Sequence, residues 1–263
     1  MSTLAYAVRD SRTMLRRNLR RMLRYPSLTL MLIGIPVVFL LLFVYVFGGT
    51  LGTGIGGRAG GRAQYVDYVT PGVLLVAVVG VAQGTAIAVA MDMHEGIIDR
   101  FRTMAIWRAS VLAGHVLGSM IQSLLGIAVV VGVAVLIGFR PAAGPARWIA
   151  AIGLLALLSL ALTWLSVALG LVSKSVETAS NSPMFLMLLP FLGSGFVPTH
   201  SMPAGLRWFA DHQPFTPVID TLRGLLLGRP IGDSAAIAVA WCALITLAGY
   251  LWARALYNRD PSR

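Results

Sequence analysis

Only one cysteine, Cys242, and one lysine, Lys174, occur among 263 residues, and acidic residues number 10. A single cysteine excludes an intrachain disulfide and a cysteine-based metal cluster. Cys242 reads as a small apolar residue inside a helix bundle. Charged residues amount to 12% and hydrophobic residues to 57%, whereas soluble domains carry about 25% charged residues. So few charges cannot cover a soluble globule, and so much apolar content excludes disorder. The class that remains is a polytopic membrane protein, and its long apolar runs make the expected fold all-α. The formal charge of +11 comes almost wholly from arginine. Arginines beside apolar runs point to membrane topology and anionic lipid headgroups, not to nucleic acid.

Catalytic patterns are missing as well. The string nearest a Walker A loop, Gly170-Leu171-Val172-Ser173-Lys174-Ser175, has serine where the motif needs glycine before the lysine. Gly54-Ile55-Gly56 does not follow a strand or open a phosphate-binding helix. His94, His115, His200 and His212 share no metal-ligand spacing, and no G-x-S-x-G elbow occurs. The chain therefore reads as a non-enzyme with no catalytic, metal or cofactor-binding residues of its own. The runs 28–47, 111–139 and 148–172 hold no Asp, Glu, Lys or Arg, so the mid-membrane charge of proton- and sodium-coupled carriers is absent from them. His115 is their one titratable group; it reads as a headgroup-level or interhelical hydrogen-bonding residue, with a proton relay as the alternative.

What is present is long apolar sequence. A spanning helix needs roughly 20 apolar residues, and six runs qualify: Leu28–Phe47, Pro71–Met91, Val111–Phe139, Trp148–Val172, Pro183–Val197 and Ala235–Trp252. The third exceeds the bilayer's need and predicts tilt or a cytoplasmic extension. The fifth is short and broken by Pro190, Gly193, Gly195 and Pro198. Residues 1–27 precede a six-span domain over 28–252, and 253–263 form a tail. Of the 21 basic residues, 14 lie before the first span, after the second and fourth, and in the tail. That bias places both termini in the cytoplasm. The first apolar run is too long for a signal-peptide core and lacks a cleavage site.

Leu4, Val8, Ser11, Leu15, Leu19 and Met22 recur at helical spacing, and Arg12, Arg16, Arg20 and Arg24 follow one another every fourth residue on another face. This predicts a helix lying in the headgroup plane, or else a merely topogenic tail. The glycine-rich stretch Gly48–Gln64 predicts an external linker. Gly80/Gly84 and Gly114/Gly118 have the G-x-x-x-G spacing that lets helices approach closely, within the chain or across a dimer seam. Gln83, Thr85, Gln122 and Thr163, with Ser119, Ser123 and Ser166, are polar groups that either line a translocation path or bond to neighbouring helices.

Two stretches carry a family likeness. One is the segment after the second run, Met91 to Ala105, with Glu95, Gly96, Ile98, Asp99, Phe101 and Arg102. The other runs from Glu177 through Gly193-Ser194-Gly195-Phe196-Val197-Pro198, Met202-Pro203 and Gln213-Pro214-Phe215-Thr216-Pro217 to Asp220-Thr221-Leu222-Arg223. Together they resemble the membrane subunit of a type-2 ABC exporter, in particular the daunorubicin/doxorubicin-resistance permeases of actinobacteria. The resemblance implies a half-transporter of the cytoplasmic membrane, paired with a second permease subunit and with separate ABC ATPase subunits that hold ATP and Mg. It implies that the helix before Leu28 is an interfacial connecting helix and that the segment around Glu95 and Gly96 couples to the ATPase. It also implies short re-entrant helices between spans five and six, carrying Gly195, Pro198, Met202, Pro203, Pro214, Pro217, Asp220 and Arg223. Ala105 stands where relatives often have proline, and His115 where arginine or lysine is commoner.

The residues agree with that expectation. Glu95, Asp99 and Arg102 fall on one helical face, with Ile97, Ile98 and Phe101 on another. The expected function is outward transport of an amphipathic drug, lipid or glycolipid, driven by a partner's ATP hydrolysis. A non-transporting assembly or regulatory subunit and a secondary carrier are the alternatives.

Overall fold

The computed structural model describes residues 3–24, 26–56, 61–97 and 109–258, and these form an all-helical bundle. Helix α1 (Thr3–Arg24) is followed by α2 (Pro26–Leu42), which passes through a π-helical turn (Phe43–Phe47) into α3 (Gly48–Gly56). Then come α4 (Arg62–His94), α5 (Ala109–Leu136) and α6 (Pro145–Val172). Four shorter helices follow: α7 (Val176–Asn181), α8 (Met184–Leu188), α9 (Ala204–His212) and α10 (Phe215–Leu227). The last is α11 (Ser234–Tyr257). Among the described residues, five helical stretches are long and apolar enough to cross a membrane: Thr29–Gly54, Arg62–His94, Ser110–Leu136, Pro145–Val172 and Ser234–Tyr257.

Helix α4 is the central element. From Val69 to Ala82 every residue is buried, which is how a helix apolar on all sides is satisfied. Helices α2, α5, α6, α7 and α10 all pack on it. Small residues set the spacing. A β-carbon added at Gly170 of α6 would lie 2.6 Å from the Ala86 carbonyl oxygen of α4, and one at Gly249 of α11 would lie 2.7 Å from the Leu165 nitrogen of α6. Both G-x-x-x-G pairs serve packing within the chain: Gly114 and Gly118 of α5 receive Met14 and Asn18 of α1, and Gly84 receives Leu32 of α2.

Two expectations are corrected. The stretch 48–64 is not simply a linker, because α3 occupies Gly48–Gly56 and α4 begins at Arg62. Five of α3's nine residues are glycine, each costing about 1 kcal/mol relative to alanine in a helix interior. An unpaired backbone group in apolar surroundings costs more than that, so continuing the helix is favoured. The fifth run, 183–197, is not a spanning helix. It forms the five-residue α8 and a series of turns through Phe196. Pro190 lacks the N–H a continuing helix requires, and Gly195 lies so close to Gly72 of α4 that a β-carbon on Gly72 would sit 2.8 Å from the Gly195 Cα.

The broken segment nevertheless runs along α4. Gln83 Nε2 donates to the Ser180 carbonyl at 2.8 Å, Gly72 meets Gly195, and the Tyr65 hydroxyl donates to the Phe196 carbonyl at 3.4 Å. The stretch of α4 from Gln83 back to Tyr65 rises roughly 27 Å at 1.5 Å per residue. Phe191 and Phe196 stack with centroids 4.4 Å apart, and Phe43 of the π turn lies 4.5 Å from Phe196, which ties α2 to this segment.

Candidate functional site

At the end of the bundle formed by α1, the C-terminus of α4 and the N-terminus of α5, three ionisable side chains meet. Asp92 Oδ2 accepts from Arg17 Nη2 and pairs with His115 Nε2 at 3.1 Å. Asp92 and His115 are buried, and the Arg17 side chain is 33% exposed. Burying a carboxylate is costly unless it is paired and hydrogen-bonded, so the pairing is the condition for Asp92 to sit here. The junction fixes α1 to two long helices at once. Arg12, Arg16, Arg20 and Arg24 remain exposed on α1, while Met14 is buried against α5. The row of arginines at every fourth residue was legible in the sequence; Arg17, one position off it, faces inward.

Helix α4 stops at His94, directly after this junction. The Glu95 N–H donates to the Met91 carbonyl at 2.9 Å, and Gly96 takes a φ of 66°. That left-handed turn favours glycine and ends the helix. Glu95 is exposed. Ile98, Asp99, Phe101 and Arg102 lie outside the described residues, so of the expected coupling face only Glu95, Gly96 and Ile97 are placed.

A cavity of about 330 Å³ opens between α1, α2, α4 and α5, closed on one side by Ser180 of α7. It brings together four of the expected path residues, Gln83, Thr85, Ser119 and Gln122, with Asn18. Thr85 Oγ1 and Ser119 Oγ share a hydrogen bond of 2.6 Å. Thr163 does not join them; it is buried in α6, as are the hydroxyls of Ser166 and, in α5, Ser123, which have no partner among the described residues.

At the opposite end, Arg223 of α10 knots three segments. Its Nη1 donates to Asp220 Oδ1 at 2.8 Å, and its Nη2 donates to the carbonyls of Ser194 (2.6 Å) and Tyr68 (3.3 Å). Ser194 Oγ donates to the same Asp220 oxygen at 2.7 Å, and the guanidinium lies 3.9 Å from the Tyr68 ring centroid. The expected short helices are present here as α9 and α10, with Pro203 and Pro214 immediately before them and Pro217 in the first turn of α10. Pro198 leads into a 3₁₀ turn, Thr199–Ser201, that Met202 ends. Gly195 stands beside Ser194 against α4. Gln213 Nε2 donates to the Leu189 carbonyl at 2.9 Å, joining the α9–α10 corner to the broken segment.

A bundle of membrane-length helices, with a mainly apolar cavity that carries neutral amides and hydroxyls and with ionic knots at its two ends, defines a polytopic membrane domain. The chain belongs to the ABC-2 type transporter family, which it matches over residues 9–227. It is 30% identical over 225 residues to the daunorubicin resistance ABC transporter permease protein DrrB1 of Streptomyces coeruleorubidus, covering 85% of this chain and 77% of that one. It is 26% identical to the probable doxorubicin resistance ABC transporter permease protein DrrC of Mycobacterium tuberculosis, over 62% of each chain. With nodulation protein J of Rhizobium leguminosarum bv. trifolii it shares 28% identity over 82% of each.

Proposed function

We propose that the chain is the permease subunit of an ATP-driven exporter of the cytoplasmic membrane. Two such subunits, identical or homologous, work with ABC ATPase subunits that hold ATP and Mg, and they move an amphipathic drug, lipid or glycolipid outward. The observation that carries this reading is the common placement of α1, the Asp92 junction and the exposed Glu95–Gly96 turn at one end of the bundle. A soluble partner pressing there acts on α1, α4 and α5 together. The arginine-rich helix α1 lies in the cytoplasmic headgroup plane among anionic lipids, and both termini are cytoplasmic. The broken segment 176–197 makes the sixth crossing: its path along α4 approaches the thickness of a hydrocarbon core of about 30 Å, and non-helical backbone is tolerated at that depth when protein surrounds it. Helices α9 and α10 are then re-entrant from the outer face.

Reconstitution of the chain with its ATPase subunit in vesicles tests the reading. ATP-dependent movement of an amphiphile is expected, together with its loss when the ATPase's Walker A lysine is replaced. Movement driven by an imposed pH gradient without ATP establishes a secondary carrier instead, and stable complex formation with no movement establishes an assembly or regulatory subunit.

A further inference from the structure

The cavity beside Gln83 carries more chemical information than its position alone. Its lining contains no Asp, Glu, Lys or Arg among the described side chains, and its one titratable group, His115, has its Nε2 committed to Asp92. Three carboxamides converge on it. Gln83 spends its Nε2 on the Ser180 carbonyl and keeps its Oε1 open; Asn18 and Gln122 make no hydrogen bond within the described chain. A carboxamide offers both donor and acceptor. An uncommitted set of them matches hydroxyl groups, which also do both, and supplies no countercharge for an ionic head, whose burial without one is costly. About 330 Å³ is at the small end of the roughly 300–1,000 Å³ typical of ligand pockets.

The cavity does not end there. Met31 and Ile35 of α2 belong both to its wall and to a second hollow of about 350 Å³, lined only by Met31, Gly34, Ile35, Val38, Phe39 and Leu42. That groove follows α2 for roughly 16 Å of helix rise. A mainly apolar chamber that carries three carboxamides thus opens onto an apolar face of α2, through residues common to both.

We propose that chamber and groove form one binding site for an amphiphile of the glycoside class: an uncharged, hydroxyl-bearing head among Asn18, Gln83 and Gln122, and an apolar tail along α2 past Gly34. Its service as a cargo site rests on the exporter reading above. The site selects by head charge, because a cation or an anion entering the chamber exchanges water for neutral amides.

The test uses the full chain in lipid nanodiscs without an ATPase. The probe is an alkyl maltoside with a photoactivatable diazirine in its tail, compared with probes of the same tail bearing a trimethylammonium or a sulfate head. The maltoside is expected to label α2 around Gly34 several-fold more than either charged probe, with competition by unlabelled dodecyl maltoside. Gln122→Leu removes no bond within the chain and is expected to cut that labelling about five-fold, as for one lost hydrogen bond. Gly34→Leu fills the groove, where a β-carbon meets nothing within 4 Å, and is expected to reduce labelling with the fold intact by circular dichroism. Gln122→Glu is expected to turn the preference toward the trimethylammonium probe. Equal labelling by all three heads overturns the site, since it describes a bare lipid-facing surface. So does disulfide formation between two copies carrying Gly34→Cys together with unchanged labelling in Gln122→Leu, which assigns the groove to a second subunit. Failed labelling leaves ATP-driven export standing, whereas labelling without export removes the exporter reading and leaves the site.

Discussion

Asp92 shows how one residue can fix the relation between helices far apart in sequence. Its carboxylate is buried between Arg17 of α1 and His115 of α5. Removing one partner of a buried pair leaves the other uncompensated, which costs several kcal/mol when both are fully buried. Because the Arg17 side chain is one-third exposed, the expected loss for Asp92→Asn is smaller, about 1–3 kcal/mol, read as a lowered thermal midpoint in detergent. A double-mutant cycle with Arg17→Ala is expected to show coupling above the ~0.5 kcal/mol typical of independent sites. His115→Gln keeps a side-chain donor facing Asp92, so transport is expected to survive it; abolished efflux in that variant would support a proton relay. The interhelical hydrogen bond of His115 was legible in the sequence, but its partners were not. Arg17 looked like one arginine among seven before the first span, and nothing in the spacing of positions 17, 92 and 115 brings them together before the helices pack.

Arg223 presents the converse case, since sequence resemblance marked it together with Asp220 and Gly195. The structure gives the physical reason: one guanidinium serves a carboxylate on its own helix, two carbonyls on other segments and the face of Tyr68. Lysine has the charge but not the planar fork. Arg223→Lys is therefore expected to destabilise by about 1–3 kcal/mol through the stranded carbonyls, and to loosen the 189–197 segment as seen by faster amide hydrogen exchange there.

Among the elements, the long helices were readable because apolar composition over some 20 residues leaves few other solutions in a membrane. Their boundaries and partners were less so. Glycine content argued for a linker over 48–64, yet the demand for backbone pairing in apolar surroundings extends α3 through Gly56. The two G-x-x-x-G pairs were visible, but spacing does not say which helix they receive. Packing answers that: α1 sits so closely on α5 that a β-carbon at Gly114 would fall 2.5 Å from Met14 Cβ, whereas Gly132 of the same helix has nothing within 4 Å. Gly114→Ala must push the helices apart and is expected to cost about 1–3 kcal/mol, with α1 becoming susceptible to protease. Gly132→Ala is expected to be neutral or to stabilise by up to about 1 kcal/mol, since it only reduces backbone freedom. Equal melting and proteolysis of the two variants would contradict the α1–α5 seam.

At the scale of the whole molecule, the described ionic contacts separate to two ends. One end gathers Arg17, Asp92, Glu95 and the last turn of α11 with Arg254; the other gathers Asp67, Arg140, Arg207, Asp220 and Arg223, where the Arg140 N–H donates to Asp67 at 3.2 Å and the Ala142 N–H donates to the Leu226 carbonyl at 2.9 Å. The described arginines of α1 and Arg254 lie on the first end, where the positive-inside tendency predicts the cytoplasm. Labelling follows from that assignment. Cysteines placed at the exposed positions Arg140 and Arg207 are expected to react with a membrane-impermeant maleimide added to intact cells, and those at Arg24 and Asn258 only after permeabilisation. The native Cys242 is 1% exposed, so it contributes little background even where it is retained. An even number of crossings is needed for Arg24 and Asn258 to behave alike, and among the described residues five helices are long enough to cross. Protection of both therefore makes the broken 176–197 segment the sixth crossing, whereas labelling of Asn258 but not Arg24 from outside would leave a five-span chain with its ends on opposite faces.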